Sequence, residues 1–203
     1  HFMTIHSKTD TMSAMPTRRS PLAMALLSLV CEEPMHAYRM QQLIKERHKD
    51  DVVNVAQRNS VYQTIDRLLR DGLIAVRETT RQENRPERTV YEPTELGRQT
   101  LRQWMRQMLS TPAREFPEFP AALAFLPVLP PEEVTAALRE RITHLEERLA
   151  VVDAELTQSR AFLPRLFLVE TEYQRAVLQT ELDFVRGLVA DLEAGRLAWD
   201  HLL

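Results

Sequence analysis

A single cysteine, Cys31, in 203 residues leaves no partner for an internal disulfide and no cysteine-based metal cluster. It follows the apolar run Leu22–Val30 and is expected to be a small buried hydrophobe rather than a reactive thiol. Glycine is scarce too, at four residues, and none builds a glycine-rich phosphate loop. His36, His48, His144 and His201 are scattered, without a His-Glu-x-x-His pair, and no serine or cysteine lies in a recognisable nucleophile motif. Nothing therefore points to catalysis, a metal or a cofactor. No apolar run reaches the roughly 18–20 residues that cross a bilayer. The segment before Met15 is polar and lacks the apolar centre of a secretory signal. These absences are expected of a cytoplasmic protein without a membrane partner. Residues 1–15, opening His1-Phe2-Met3, are expected to be a tag remnant or disordered extension.

What is present is 44% hydrophobic and 27% charged residues, with long stretches of 3.6-residue periodicity. That combination indicates a mainly helical chain of one large domain or two small ones. The net charge of −3 hides an asymmetry. Residues 16–110 hold sixteen Lys/Arg against twelve Asp/Glu, whereas residues 111–203 hold nine against sixteen. A basic first part on an acidic second part suits a protein that meets a polyanion with its first part only.

Ser20 and Pro21 suit the cap and first position of a helix that runs through Leu22–Val30 and stops at Glu32-Glu33-Pro34. A second helix opens at His36-Ala37-Tyr38, with Tyr38, Leu43 and Ile44 on its expected buried side. A third covers 58–71: Val61, Ile65, Leu68 and Leu69 share one apolar face, Asn59 or Ser60 can cap it, and Gly72 ends it. Gln63, Asp66, Arg67 and Arg70 lie opposite that face, with Tyr62 on the flank. Such a helix suits a DNA major groove, although an ordinary amphipathic helix has the same pattern. Strands are expected at 73–79 and 88–92, joined by a polar turn containing Pro86. Three helices and a two-stranded ribbon are the order of a winged helix-turn-helix. Arg81, Arg85 and Arg88 at the ribbon tip suit contact with a phosphate backbone or minor groove.

Thr94 is expected to cap a fourth helix ending near Leu109, with Leu96, Leu101, Trp104, Met105 and Met108 apolar. Residues 111–131 hold six prolines and the phenylalanines Phe116, Phe119 and Phe125, and read as a packed connector with a short helix near 121–126. From Glu132 to the end the chain reads as helical, broken near Pro164. Leu138, Ile142, Leu145, Leu149, Val152 and Leu156 follow a 4-3-4-3-4 spacing, and Leu178, Leu182, Val185, Val189 and Leu192 repeat it. Val177, Phe184 and Leu188 broaden the second stripe. The two helices can pair with each other, but stripes this wide are expected to need more cover. A second copy of the chain supplies it most simply, and packing back on the first domain is the alternative. Trp104, Phe116, Phe119, Phe125 and Tyr173 can flank a ligand pocket, and equally can fill a core.

The stretches A-L-L-S-L-V at 25–30, P-M-H-A-Y-R-M at 34–40, S-V-Y-Q-T-I-D-R-L-L-R-D-G-L-I at 60–74, V-Y-E-P-T-E-L-G-R at 90–98 and F-L-P-V-L-P-P-E-E-V at 125–134 together resemble the PadR family of transcriptional regulators over essentially all of 20–195. The chain departs from the family's usual glycine at Ala37 and its usual leucine at Pro93. The resemblance implies a homodimeric, usually repressing, DNA-binding regulator, often released by a small hydrophobic or aromatic effector held between its two domains.

The expected architecture is therefore mainly α. A winged helix-turn-helix domain spans 16–110, a Pro-rich packed connector 111–131, and a C-terminal helical dimerisation domain with coiled-coil-like packing 132–203. Double-stranded DNA with inverted half-sites about one turn, roughly 34–36 Å, apart is the expected target. Asn59, Ser60, Tyr62 and Gln63 are the candidates for the groove, Arg67 and Arg70 for phosphates, and Arg85 and Arg88 for the wing. Asp66 is expected to pair with Arg70. Leu138, Ile142, Leu145, Leu149, Val152, Leu178, Leu182, Val185 and Val189 are the candidates for dimerisation. Trp104, Phe119, Phe125 and Tyr173 are the candidates for an effector pocket. The competing reading is a helical protein–protein adaptor without DNA binding, which accounts for 132–195 but not for the basic ribbon tip.

Overall fold

A computed structural model describes residues 19–50, 52–55, 58–80 and 88–200, with Arg58, Asn59, Thr80 and Arg88 described for their backbone only. Residues 1–15 lie outside that set. The described chain forms two compact units that meet at Arg114 and Glu115, so most of the connector belongs to the second. No helix among the described residues is long and apolar enough to cross a membrane.

In the first unit, α1 (Pro21–Glu32) starts as its sequence dictates, because the Ser20 side chain accepts a hydrogen bond from the Ala23 amide and Pro21 has none to leave orphaned. His36 caps α2 (Ala37–Glu46): its Nδ1 accepts from the Arg39 amide at 3.0 Å. The buried side of α2 is Ala37, Met40, Leu43 and Ile44. Tyr38, expected there, is exposed, because helical phase places it a quarter-turn or more off that stripe. After α2 the chain turns through His48, a left-handed residue at φ 51°. A fork of hydrogen bonds from Arg47 to Glu32, 2.7 and 2.8 Å long, links the turn to the end of α1.

α3 (Arg58–Arg70) starts two residues earlier than a cap at Asn59 would allow, so Asn59 and Ser60 fall inside its first turn. Strands β2 (Ile74–Thr80) and β3 (Arg88–Pro93) pair antiparallel with an irregularity between Val76 and Glu78. A third strand was not legible: β1 (Met35–His36) pairs with β3, giving the order β1-β3-β2. Two residues are too few to show alternation, so only the ladder reveals them. α4 (Glu95–Ser110) completes the unit. The core gathers Leu26, Leu27, Val30, Met40, Val61, Ile65, Leu68 and Trp104. Cys31 is half-buried rather than fully buried, and burial raises its thiol pKa against the opposing pull of Arg98 and Arg102.

In the second unit, α5 (Glu118–Leu123) and a 3-10 turn (Leu126–Val128) precede α6 (Pro131–Ser159) and α7 (Val169–Glu193). Arg139 pairs with Glu193, Arg186 with Glu146 and Arg175 with Asp153, which fixes α6 and α7 as antiparallel neighbours. Their heptad stripes face each other. Leu138, Leu145, Val152, Leu178, Leu182, Val185 and Val189 are buried in this seam, with Ile142 and Leu149 packed beside them. The nine dimerisation candidates thus close on one another within a single chain, and the inner stripe needs no second copy to leave water. What stays uncovered is a different stripe. Tyr173, Val177 and Phe184 are exposed, at a 4-7 spacing roughly 120° around α7 from the buried one at 100° per residue, while Leu188 packs against the buried seam.

Candidate nucleic-acid interface

The α3 helix is sealed on one side and open on the other. Val61, Ile65 and Leu68 are at most 1% exposed, whereas Tyr62 is 43% exposed and Gln63, Asp66 and Arg70 are exposed. Tyr62 and Gln63 follow each other in the first turns, where a groove-reading helix meets base edges. Ser60 is half-buried, and its carbonyl accepts from the Thr64 hydroxyl at 2.7 Å. Arg67 is only half-exposed: its Nε is buried without a hydrogen-bond partner among the described residues. The Arg70 Nε donates to Asp71 at 3.3 Å, so its carboxylate neighbour is Asp71 rather than the expected Asp66.

The C-terminus of α3 is held by a lock with three parts. Gly72 takes φ +68°, its amide donates to the Leu69 carbonyl, and the Leu73 amide donates back to Leu68 at 2.9 Å. This is the Schellman pattern that glycine permits. The Thr94 hydroxyl then donates to the Gly72 carbonyl at 2.6 Å and accepts from the Gly97 amide at 3.0 Å. Finally, the Leu73 carbonyl lies so close to Gly97 that a Cβ there would be 1.9 Å from its oxygen. Residues 94–97 therefore clamp the turn that sets where the exposed helix ends.

Tyr91 of β3, not singled out in the sequence, packs against the core of the first unit within electrostatic reach of α3. Burial raises its phenol pKa, and the neighbouring Asp66 and Tyr62 add to the rise. The wing tip that carries Arg81 and Arg85 lies outside the described residues. Arg88 is the first residue of β3, and its side chain is among those not described.

The four effector-pocket candidates are divided between the two units. Trp104 is 6% exposed in the core of the first unit. Tyr173 is 70% exposed on α7. Phe119 and Phe125 share a cavity, which lies in the second unit.

An amphipathic helix fixed behind a turn, followed by an antiparallel ribbon and locked by the next helix, defines the winged helix-turn-helix class. Residues 26–103, which hold most of the winged-helix unit, match the family model described as the transcriptional regulator PadR-like family. Comparison with curated proteins finds no match. Among solved structures, Bacillus subtilis PadR in complex with operator DNA has a TM-score of 0.68 and 18% identity, over 84% of this chain and 98% of that one. The same protein in complex with p-coumaric acid gives 0.68 and 16%, over 86% and 99%. The PadR-like regulator BC1756 from Bacillus cereus gives 0.58 and 15%, over 86% and 99%. At these identities the likeness is one of fold.

Proposed function

We propose that this chain is a cytoplasmic, sequence-specific DNA-binding transcriptional regulator, a homodimeric repressor relieved by a small hydrophobic or aromatic molecule. The observation that carries the reading is the open polar face of α3, with Tyr62 and Gln63 outward on a helix whose back is sealed. A solvated helix satisfies that description too, but the match of residues 26–103 to the PadR-like family model favours the groove. Gln63 reads a base edge, Tyr62 contacts a thymine methyl or a phosphate, and Asn59 and Ser60 approach with the same turn. Arg70, with Arg85 and Arg88 on the wing, neutralises backbone charge. Arg67, half-exposed on the same helix, adds its charge to that of Arg70.

Two copies join through the outer stripe of α7, since the inner one is already closed. A dimer so formed presents two α3 helices to inverted half-sites. The B. subtilis relative's operator and p-coumaric acid complexes support both halves of this reading. The test is a salt titration of binding to duplex DNA from the upstream region of its own gene. Wild type should lose affinity log-linearly with salt. Arg70→Ala should lower the slope by about one, and Gln63→Ala should leave the slope and flatten preference among sequences. Affinity independent of salt would refute DNA binding, and no change in either variant would refute these residue roles.

A further inference from the structure

In the second unit α5 and the 3-10 turn after it lie along the start of α6 and border a cavity of about 410 Å³ that is open to solvent on one side, where Phe125 is exposed. That volume lies inside the roughly 300–1,000 Å³ typical of small-molecule sites. Its wall is almost wholly apolar, with Phe119, Phe125, Leu126, Leu129 and Leu138 prominent in it. One charged side chain reaches the wall, Arg141, and it is already engaged twice. Its guanidinium lies 3.6 Å from the centre of the Phe119 ring, and its Nε donates to the Glu181 carboxylate at 2.7 Å.

These contacts decide what the cavity can take. A ligand carboxylate would have to shed its water against apolar walls and compete with Glu181 for a cation whose charge is already balanced. An uncharged ring system meets no such penalty and gains contact with Phe119 and Phe125. We infer that this cavity is a binding site for a neutral, predominantly apolar, ring-bearing molecule, and that it selects against acids of the same shape. The inference rests on the proposed regulator reading for the consequence of binding, but not for binding itself. The Trp199 indole donates to the Leu129 carbonyl at 2.9 Å, which ties the C-terminal segment to the cavity wall and places a fluorophore beside it.

The test is a pair of dyes titrated into the full-length protein without DNA: neutral N-phenyl-1-naphthylamine and its sulfonated counterpart 1-anilinonaphthalene-8-sulfonate. The neutral dye should bind one site per chain and change Trp199 emission, and the sulfonate should bind at least tenfold more weakly. Ala122→Phe and Ala137→Phe, which fill the cavity from exposed positions, should each abolish the neutral site while circular dichroism stays unchanged. Arg141→Gln should alter neutral-dye affinity less than threefold. Equal or tighter sulfonate binding, a tenfold loss in Arg141→Gln, survival of the site in both filled variants, or no neutral binding at all would each overturn the inference. The last result is expected if a second copy of the chain plugs the cavity. Affinity for duplex DNA, measured separately, distinguishes failure of the regulator reading from failure of this one.

Discussion

Replacing Gly97 with alanine adds one methyl group to the first turn of α4, and two effects of opposite sign follow. Alanine is favoured over glycine inside a helix by about 1 kcal/mol, so propensity alone calls for stabilisation. The added Cβ, however, would lie 1.9 Å from the Leu73 carbonyl oxygen and 2.9 Å from its carbon. Backbone, not a flexible side-chain tip, must then yield by an ångström or more. Overpacking of this kind costs typically 1–3 kcal/mol, and a contact this short belongs at the top of that range. Subtracting the propensity gain leaves a net loss of about 2 kcal/mol, roughly 30-fold in the folding equilibrium. Gly187 is the matched control, because it lies inside α7 and a Cβ there meets nothing within 4 Å. Gly187→Ala should stabilise the second unit by up to about 1 kcal/mol. Urea unfolding followed by Trp104 emission in a Trp199→Phe background reads the first unit alone, since Trp104 belongs to its core. A Gly97→Ala protein as stable as wild type, or more so, would refute the lock between residues 94–97 and the end of α3.

Further outcomes follow from the charges and from α7. Glu32 is held below its ordinary pKa of 4.5 chiefly by the hydrogen bonds from Arg47. A carboxyl lowered on folding stabilises fully above its unfolded value and loses that contribution as pH falls through the folded one. Because the pair is about half-exposed, Glu32→Gln should cost less than about 1 kcal/mol at neutral pH. Its urea midpoint should converge on that of wild type well below pH 4.5, and a difference that persisted in acid would refute the assignment. Phe184→Asp should break the proposed dimer. Burying a phenylalanine contributes about 2–3 kcal/mol, and twofold symmetry counts it twice, so the dissociation constant measured by sedimentation should rise by roughly 10³–10⁴. Leu182→Ala, on the inner seam, should instead lower unfolding stability by about 2–5 kcal/mol and leave the oligomeric state alone. If Leu182→Ala dissociates the dimer and Phe184→Asp does not, the interface lies on the inner stripe after all.

Much of the winged-helix unit was legible because its signals are local. Ser20-Pro21, Thr94 and Gly72 act through hydrogen bonds or dihedrals within a few residues of themselves, and the structure uses each as a cap or a terminator. The alternation of apolar positions placed Val61, Ile65 and Leu68 on one side of α3, and they are its sealed side. The losses come where one residue's environment is set by residues far away in sequence. β1 exists only as the partner of β3. Arg67 lies on the polar side by phase, yet its Nε is buried.

The second unit shows the same limit more sharply. A heptad stripe specifies that two helices will pack, but not which chain supplies the partner. Width was the clue to two stripes. Of the three residues that broaden the stripe in sequence, Leu188 packs against the seam, whereas Val177 and Phe184 lie on a separate, exposed line of α7. Once α6 covers the first line, the second is one of the surfaces that still expose large apolar side chains, and the argument for a partner moves there. Glycines make the complementary case. Gly97 and Gly187 are both helix-interior glycines, and by propensity each should welcome alanine. The Leu73 carbonyl beside Gly97, twenty-four residues away in sequence, reverses the sign for one and leaves it for the other. A rule that reads only neighbours along the chain assigns both the same value, so the pair of substitutions measures how much of this fold is decided by contact across it.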